Sequence, residues 1–217
     1  MIDFTARRTM MVDTQVRPSD VTKFPIIEAM LSVPREVFVP EDRREAAYMG
    51  DHLGLGGCRV VMDPRTLAKL LDALDIQPDE TVLDLGCAYG YSSAVIARMA
   101  GSVTAVEEDA DLAATAGQRL AAQGVTNVTV IAGKLCEGAA KAGPFDVIIL
   151  QGAAESVPAA LLAQLKEGGR IGCIFMEAAL GVARIGYKID GQVNWRNAFN
   201  ASAPVLPGFA AKRAFTL

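Results

Sequence analysis

The chain has 217 residues, 51% of them apolar and 21% charged, with a formal net charge of −4 at pH 7; that suffices for one substantial hydrophobic core without disulfides. No basic run is long enough to follow a phosphate backbone, Arg43-Arg44 and Lys212-Arg213 being isolated pairs, so nucleic acid is not expected as a partner. Met1 to Arg8 lacks the apolar core of a signal peptide, no run approaches the roughly twenty apolar residues of a membrane span, and Cys58, Cys87, Cys136 and Cys173 show no C-x-x-C spacing. These features exclude a membrane partner and a zinc site, and they predict reduced thiols and a cytoplasmic location.

Residues 1–60 do not alternate strand and helix; they read as an N-terminal helical extension packed on a single structural unit formed by residues 61–217. Asp20 to Met30 is expected to be helical, with Ser19 as a cap, Pro25 near the first turn, and Ile26, Ile27 and Met30 on the buried face. Val33 to Pro40 reads as extended because the residue before each proline is pushed out of the helical region, and a second helix runs from Asp42 to Tyr48. A glycine-rich bend (Gly50, Gly54, Gly56, Gly57) follows. Asp63 then caps a helix that opens at Pro64, runs to about Leu74 and buries Leu67, Leu70, Leu71 and Leu74.

From Thr81 the chain alternates: strand to Leu85, helix to Met99, strand to Glu107, helix to about Gln123, strand Val128 to Ala132, and strand Phe145 to Leu150. Pro158 to Leu165 reads as another helix and Gly169 to Phe175 as a further strand. Two later runs meet at Asp190-Gly191, a dipeptide suited to a tight hairpin turn. The fold class is α/β, a doubly wound, mostly parallel sheet with helices on both faces and an antiparallel edge.

One stretch carries chemistry. Val82-Leu83-Asp84-Leu85 is an apolar strand with an acid near its end, and it runs into Gly86-Cys87-Ala88-Tyr89-Gly90 and a helix from Tyr91. Such a turn brings backbone N–H groups toward whatever lies above the strand, and glycines allow close approach. About twenty residues on, Ser102 to Glu107 is a second strand ending in a carboxylate, where a doubly wound sheet presents an acid to ribose hydroxyls. Asp84, Gly86, Gly90 and Glu107 are therefore expected to hold a nucleoside-type cofactor; the plainer role for Glu107 is to cap the helix starting near Asp109. The pattern acid-x-Gly86-x-Ala88-x-Gly90 departs from the three-glycine nicotinamide fingerprint and resembles the loop of class I S-adenosylmethionine methyltransferases.

A family resemblance follows from Val33-Pro34-Arg35-Glu36-x-Phe38-Val39, Ala47-Tyr48, the loop Val82 to Tyr91, Pro144-Phe145-Asp146, Val157-Pro158 and Gly168-Gly169. Over residues 10 to 180 the chain resembles the protein-L-isoaspartate O-methyltransferases. The resemblance implies a Rossmann-like, seven-stranded class I methyltransferase fold, S-adenosyl-L-methionine as methyl donor with S-adenosyl-L-homocysteine as product, and a protein or peptide acceptor carrying isoaspartyl residues. It implies cofactor contacts at Asp84, Leu85, Gly86, Cys87, Ala88, Gly90, Tyr91, Glu107, Lys134, Leu135 and Gln151, and an acceptor site at Val61, Met62 and Pro64. Where the family has Thr-Ile-Ser-x-Pro, this chain has Val60-Val61-Met62-Asp63-Pro64; where it has Gly-Asp-Gly, the residues are Gly133-Lys134-Leu135; its C-terminal acceptor clamp survives as Pro204-Val205-Leu206-Pro207. An ionised carboxylate needs no general base, so no catalytic side chain is assigned, and the lone His52 reads as structural. Two other functions stay open on these residues: a non-catalytic binding protein on the same scaffold, and a methyltransferase for a less polar acceptor.

Overall fold

A computed structural model describes residues 2–211; Lys212-Arg213 lies outside the described residues. Among the described residues, nine strands form two sheets. The larger has the order β5-β4-β3-β6-β7-β8-β9, with β3 (Thr81–Leu85), β4 (Ser102–Glu107), β5 (Val128–Ala132), β6 (Phe145–Ala154) and β7 (Leu165–Glu177) parallel to their neighbours. The strands β8 (Leu180–Ile189) and β9 (Gln192–Asn200) then add antiparallel. Asp190 and Gly191, with φ of 52° and 74°, turn the chain between them as their side chains allow.

The continuous apolar run of β6 is explained by burial on both faces. Val147 and Ile149 join Val82 and Val103 in a cluster with Leu67, Leu70, Leu71 and Leu74 of α3 (Pro64–Leu74) and with Val95 of α4 (Tyr91–Ile96), as the spacing of the α3 leucines predicts. Ile148 and Leu150 join Leu83, Leu85 and Val106 in a second cluster closed by Leu161 of α6 (Ala159–Leu162), Leu206 and Phe209. A strand covered on both sides has no reason to alternate polarity. Asp63 caps α3 as expected, accepting from the Thr66 N–H at 2.8 Å with Pro64 in the first turn, and Asp109 caps α5 (Ala110–Ala122).

The first sixty residues differ more. A helix, α1 (Phe4–Met11), capped by Asp3, continues through tighter and wider turns to Ser19, burying Met11, Val12 and Val16. It was not expected, because Arg7, Arg8 and the threonines dilute the apolar period. The helix expected from Asp20 begins at Phe24 (α2, Phe24–Ser32): Ser19 donates back to the Gln15 carbonyl (2.8 Å), and Asp20 at φ 63° breaks the run. Val33 and Pro34 are extended as predicted, but Arg35–Phe38 and Glu41–Ala46 close into 3-10 turns. The glycine-rich bend is a hairpin, β1 (Leu53–Gly56) with β2 (Arg59–Val61), forming a small sheet of its own.

Asp146 locks the base of the sheet. Its carboxylate accepts from the Thr81 N–H and hydroxyl, each at 2.8 Å, and from Lys166 at 2.7 Å. Burial pushes its pKa up, but Lys166 and Thr81 outweigh burial and hold it below the ordinary value. A depressed carboxylate contributes stability that is present above the unfolded-state pKa, about 4, and lost as pH falls through the folded-state value. Asp146→Asn should therefore cost on the order of 1–2 kcal/mol at pH 7. The gap between the two proteins should close in urea titrations below about pH 4.

Candidate active site

The turn after β3 keeps the backbone that its glycines predict: Gly86, Ala88 and Gly90 alternate at positive φ of 84°, 51° and 93°. Ala88 takes the left-handed conformation despite its Cβ, which costs about 1 kcal/mol or more. What holds it there is its N–H, which donates to Glu107 Oε2 at 2.7 Å.

Asp84 lies fully buried under this turn. It accepts from Ser92 Oγ (2.7 Å) and Ser93 Oγ (2.6 Å) at the start of α4, and from Gln151 Nε2 (2.7 Å) on β6. Burial raises its pKa against the pull of those three donors, with the nearby Glu107 pushing the same way. The carboxylate thus ties the turn, the helix and the neighbouring strand together. Ser92 and Ser93 were not singled out in the sequence, although paired hydroxyls directly after the turn are a signal of such a link. Leu85, Cys87, Ala88 and Tyr91 are buried around it, and burial, with Asp84 and Glu107 adding to it, raises the Cys87 thiol well above its ordinary pKa.

Glu107, at the end of β4, is also fully buried. Its Oε1 accepts from the Glu108 and Asp109 N–H groups (2.9 and 3.3 Å), and its Oε2 from Ala88 N–H and from Arg59 Nη2 at 2.5 Å. Arg59 is the residue that reading the sequence missed. It is the one cation in an apolar strand, beside the Val60-Val61-Met62 run that drew attention.

The remaining expected site residues divide. Val60, Val61 and Met62 are buried over the turn, next to Tyr91, Ser92 and Gln151, and Pro64 is buried at the start of α3. Leu135 is buried, but Lys134 stands on the surface, pairing with Glu137 at 3.1 Å, which raises its pKa. His52 accepts from the Asp63 N–H at Nδ1 (2.9 Å), so Nε2 carries the proton and donates to the Ser202 carbonyl (2.7 Å), a bracing arrangement. Pro204 and Leu206 pair with Ala153 at the end of β6, placing the C-terminal segment beside the site.

The Val-Pro-Arg-Glu segment acts from behind. Arg35 is buried and donates to the carbonyls of Ala47 (2.6 Å) and Met62 (2.7 Å), with its guanidinium 4.6 Å from the centre of the Tyr91 ring. Glu36 receives the Tyr48 hydroxyl and Arg8.

The sequence profile of the protein-L-isoaspartate(D-aspartate) O-methyltransferases matches residues 7–181. The chain belongs to that family. Among its curated members, the protein-L-isoaspartate O-methyltransferase of Methylorubrum extorquens is 38% identical over 169 residues, covering 78% of this chain and 74% of the relative. That of Koribacter versatilis is 37% identical, covering 77% and 76%. Among solved structures, a protein-L-isoaspartate O-methyltransferase superposes with a TM-score of 0.80 at 23% identity over 93% of this chain and 66% of the other. A putative family protein from Plasmodium falciparum, in complex with S-adenosyl-L-homocysteine, gives 0.78 at 18% identity over 95% and 99%. At those identities the superpositions speak to the fold, which is the Rossmann-like fold expected for the family.

As the site is arranged, Arg59 crowds the place beside Glu107 where a ribose would lie. A Cβ placed on Gly86 would meet Arg59 Nη1 at 2.9 Å and Nη2 at 3.0 Å, so the guanidinium already sits on the turn. The cavity left between Val60, Met62, Gly86, Tyr91 and Gln151 is about 10 Å³, room for a single water at most.

Proposed function

We infer that the chain is an S-adenosyl-L-methionine-dependent carboxyl O-methyltransferase of the protein-L-isoaspartate type, acting on isoaspartyl residues of damaged proteins. The observation that carries this reading is the family match across residues 7–181, which spans the turn at Gly86 to Gly90 and the acids ending β3 and β4. S-adenosyl-L-methionine is the methyl donor, S-adenosyl-L-homocysteine the product, and a protein or peptide the acceptor. A side-chain carboxylate is already ionised at neutral pH, so the reaction asks the chain for placement and exclusion of water rather than for proton removal. Residues 1–60 act as an extension that braces the methyltransferase unit of residues 61–217. The cytoplasmic location expected from the sequence goes with this reading. No helix among the described residues is long and apolar enough to cross a membrane.

One observation favours a different, less polar acceptor. Met62 occupies the position of the family serine and is buried with Val60 and Val61, so that side of the site offers no side-chain hydrogen bond. A radiolabelled-methyl assay on matched isoaspartyl and aspartyl peptides separates the two. We expect label on the isoaspartyl peptide alone, at a rate roughly tenfold or more below that of a relative retaining the serine, because one lost orienting hydrogen bond is worth about 1–3 kcal/mol. No label on either peptide, from protein that binds S-adenosyl-L-homocysteine, would favour the second acceptor class.

A further inference from the structure

The four donors that surround Glu107 account for its whole acceptor capacity, since an ionised carboxylate offers about four lone-pair sites. Three of the donors are backbone N–H groups of Ala88, Glu108 and Asp109, fixed by the turn and by the start of α5. The fourth is Arg59, and it alone is carried by an element outside the main sheet. The hairpin β1–β2 is joined through Gly56, Gly57 and Cys58, all at positive φ, and it pairs with no strand of the seven-stranded sheet.

Arg59 is itself poorly satisfied where it lies. It is 8% exposed, and its Nε and Nη1 have no hydrogen-bond partner among the described residues. Two buried donors without acceptors weigh against the closed arrangement, while the short ion pair with Glu107 weighs for it. That balance makes the guanidinium exchangeable. A ribose diol could take over the site on Glu107 only by removing it, and the same departure would clear the space above Gly86.

We propose that Arg59 is a specificity-determining residue that occupies the nucleoside site from within: it holds Glu107 in the free protein and must be displaced by the cofactor's ribose. This rests on the methyltransferase reading above. It goes further in assigning to one residue of this chain the control of affinity. Arg59 competes for the same carboxylate as the ligand, so the free energy of the Arg59–Glu107 pair is subtracted from every binding event. Only a ligand whose hydroxyls replace the guanidinium's hydrogen bond recovers that loss.

Calorimetric titration with S-adenosyl-L-homocysteine, at one pH and ionic strength, tests the proposal on the parent, Arg59→Ala and Arg59→Gln. Arg59→Ala should bind at least about tenfold more tightly than the parent, and Arg59→Gln, which can still donate one neutral hydrogen bond to Glu107, should fall between them. Arg59→Gln keeps most of the side-chain length and preserves the test if the alanine variant does not fold. Unchanged or weaker affinity in the folded variants overturns the proposal; with isoaspartyl methylation intact, that result leaves the functional reading standing. Absence of binding by all three proteins overturns both.

Discussion

Glu107→Ala should be among the most destabilising single substitutions in the chain, by about 3–5 kcal/mol, because it strands the Arg59 guanidinium in the interior without a counter-charge. The buried N–H of Ala88 and the partly buried N–H groups of Glu108 and Asp109 lose their acceptor at the same time. For a protein of this size that corresponds to a fall in melting temperature of roughly 10 °C. Arg59→Ala should cost much less, since Glu107 keeps its three backbone donors, whereas Arg59 has no partner other than Glu107 among the described residues. The double variant should recover part of the Glu107→Ala loss, giving a coupling energy of 1 kcal/mol or more, a rough lower bound for a buried pair. Chemical denaturation of the parent and the three variants measures all of this. Equal costs for the two single substitutions would mean that Arg59 reaches solvent in the folded protein and that the pair is not closed.

Replacing Arg35 should come next. Arg35→Met keeps the length and removes the charge, but it leaves the carbonyls of Ala47 and Met62 without their donor in a region closed to water. Each such carbonyl costs about 1–3 kcal/mol, partly offset by relief of a desolvated cation whose pKa burial already lowers. The net expectation is a loss of about 2–4 kcal/mol. Arg35→Lys should recover only part of it, because an ammonium is a point charge and cannot serve two carbonyls in the fork geometry of a guanidinium. Hydrogen exchange adds a local readout. Amides at 59–62 should lose protection in both variants, since the Met62 carbonyl is the point at which Arg35 holds the junction between β2 and α3. Unaltered stability in Arg35→Met would show that the two carbonyls find water.

The extent to which the chain could be read in advance follows from how local each signal is. The strands β3 to β6 and the helices α3 and α5 announce themselves through largely apolar runs, helical composition and, on α3, a 3.6-residue leucine stripe behind an aspartate cap, all properties of a few adjacent residues. The β8–β9 hairpin was equally legible from Asp190-Gly191. The first sixty residues were legible only in part: Ile26, Ile27 and Met30 do form the buried face of α2, but elsewhere there the chain is shaped by distant partners, Arg35 reaching Ala47 and Met62, and Glu36 reaching Tyr48. Propensity alone does not choose between an α-turn and a 3-10 turn when the deciding bond spans 12 or 27 residues. At the site, the acids were found at the ends of their strands, where the topology puts them. Their donors were harder. Ser92 and Ser93 lie near Asp84 in sequence and could have been noticed, whereas Arg59 lies 48 residues before Glu107 on a hairpin whose glycines read as a bend. Lys134 illustrates the reverse case: a lysine at the place of the family's acid must either turn to solvent or leave the adenine amine unpaired, and its side chain lies on the surface with Glu137.

The imidazole of His52 has a mechanical consequence for the hairpin that carries Arg59. Its ring is fastened at both nitrogens, to the Asp63 amide at the head of α3 and to the Ser202 carbonyl in the segment that returns to β6. It therefore pins the root of β1, directly before Leu53, while the far end at Gly56 to Cys58 is free of the main sheet. A ribbon fixed at one end swings as a lever. With four residues in β1, at about 3.3 Å each, the arm is roughly 13 Å long. A rotation of about 20° at such a pivot would carry the tip by roughly 4–5 Å, a displacement on the scale of the guanidinium itself, and would have to loosen the packing of Val60 and Val61 against the core they share with α3 and β6.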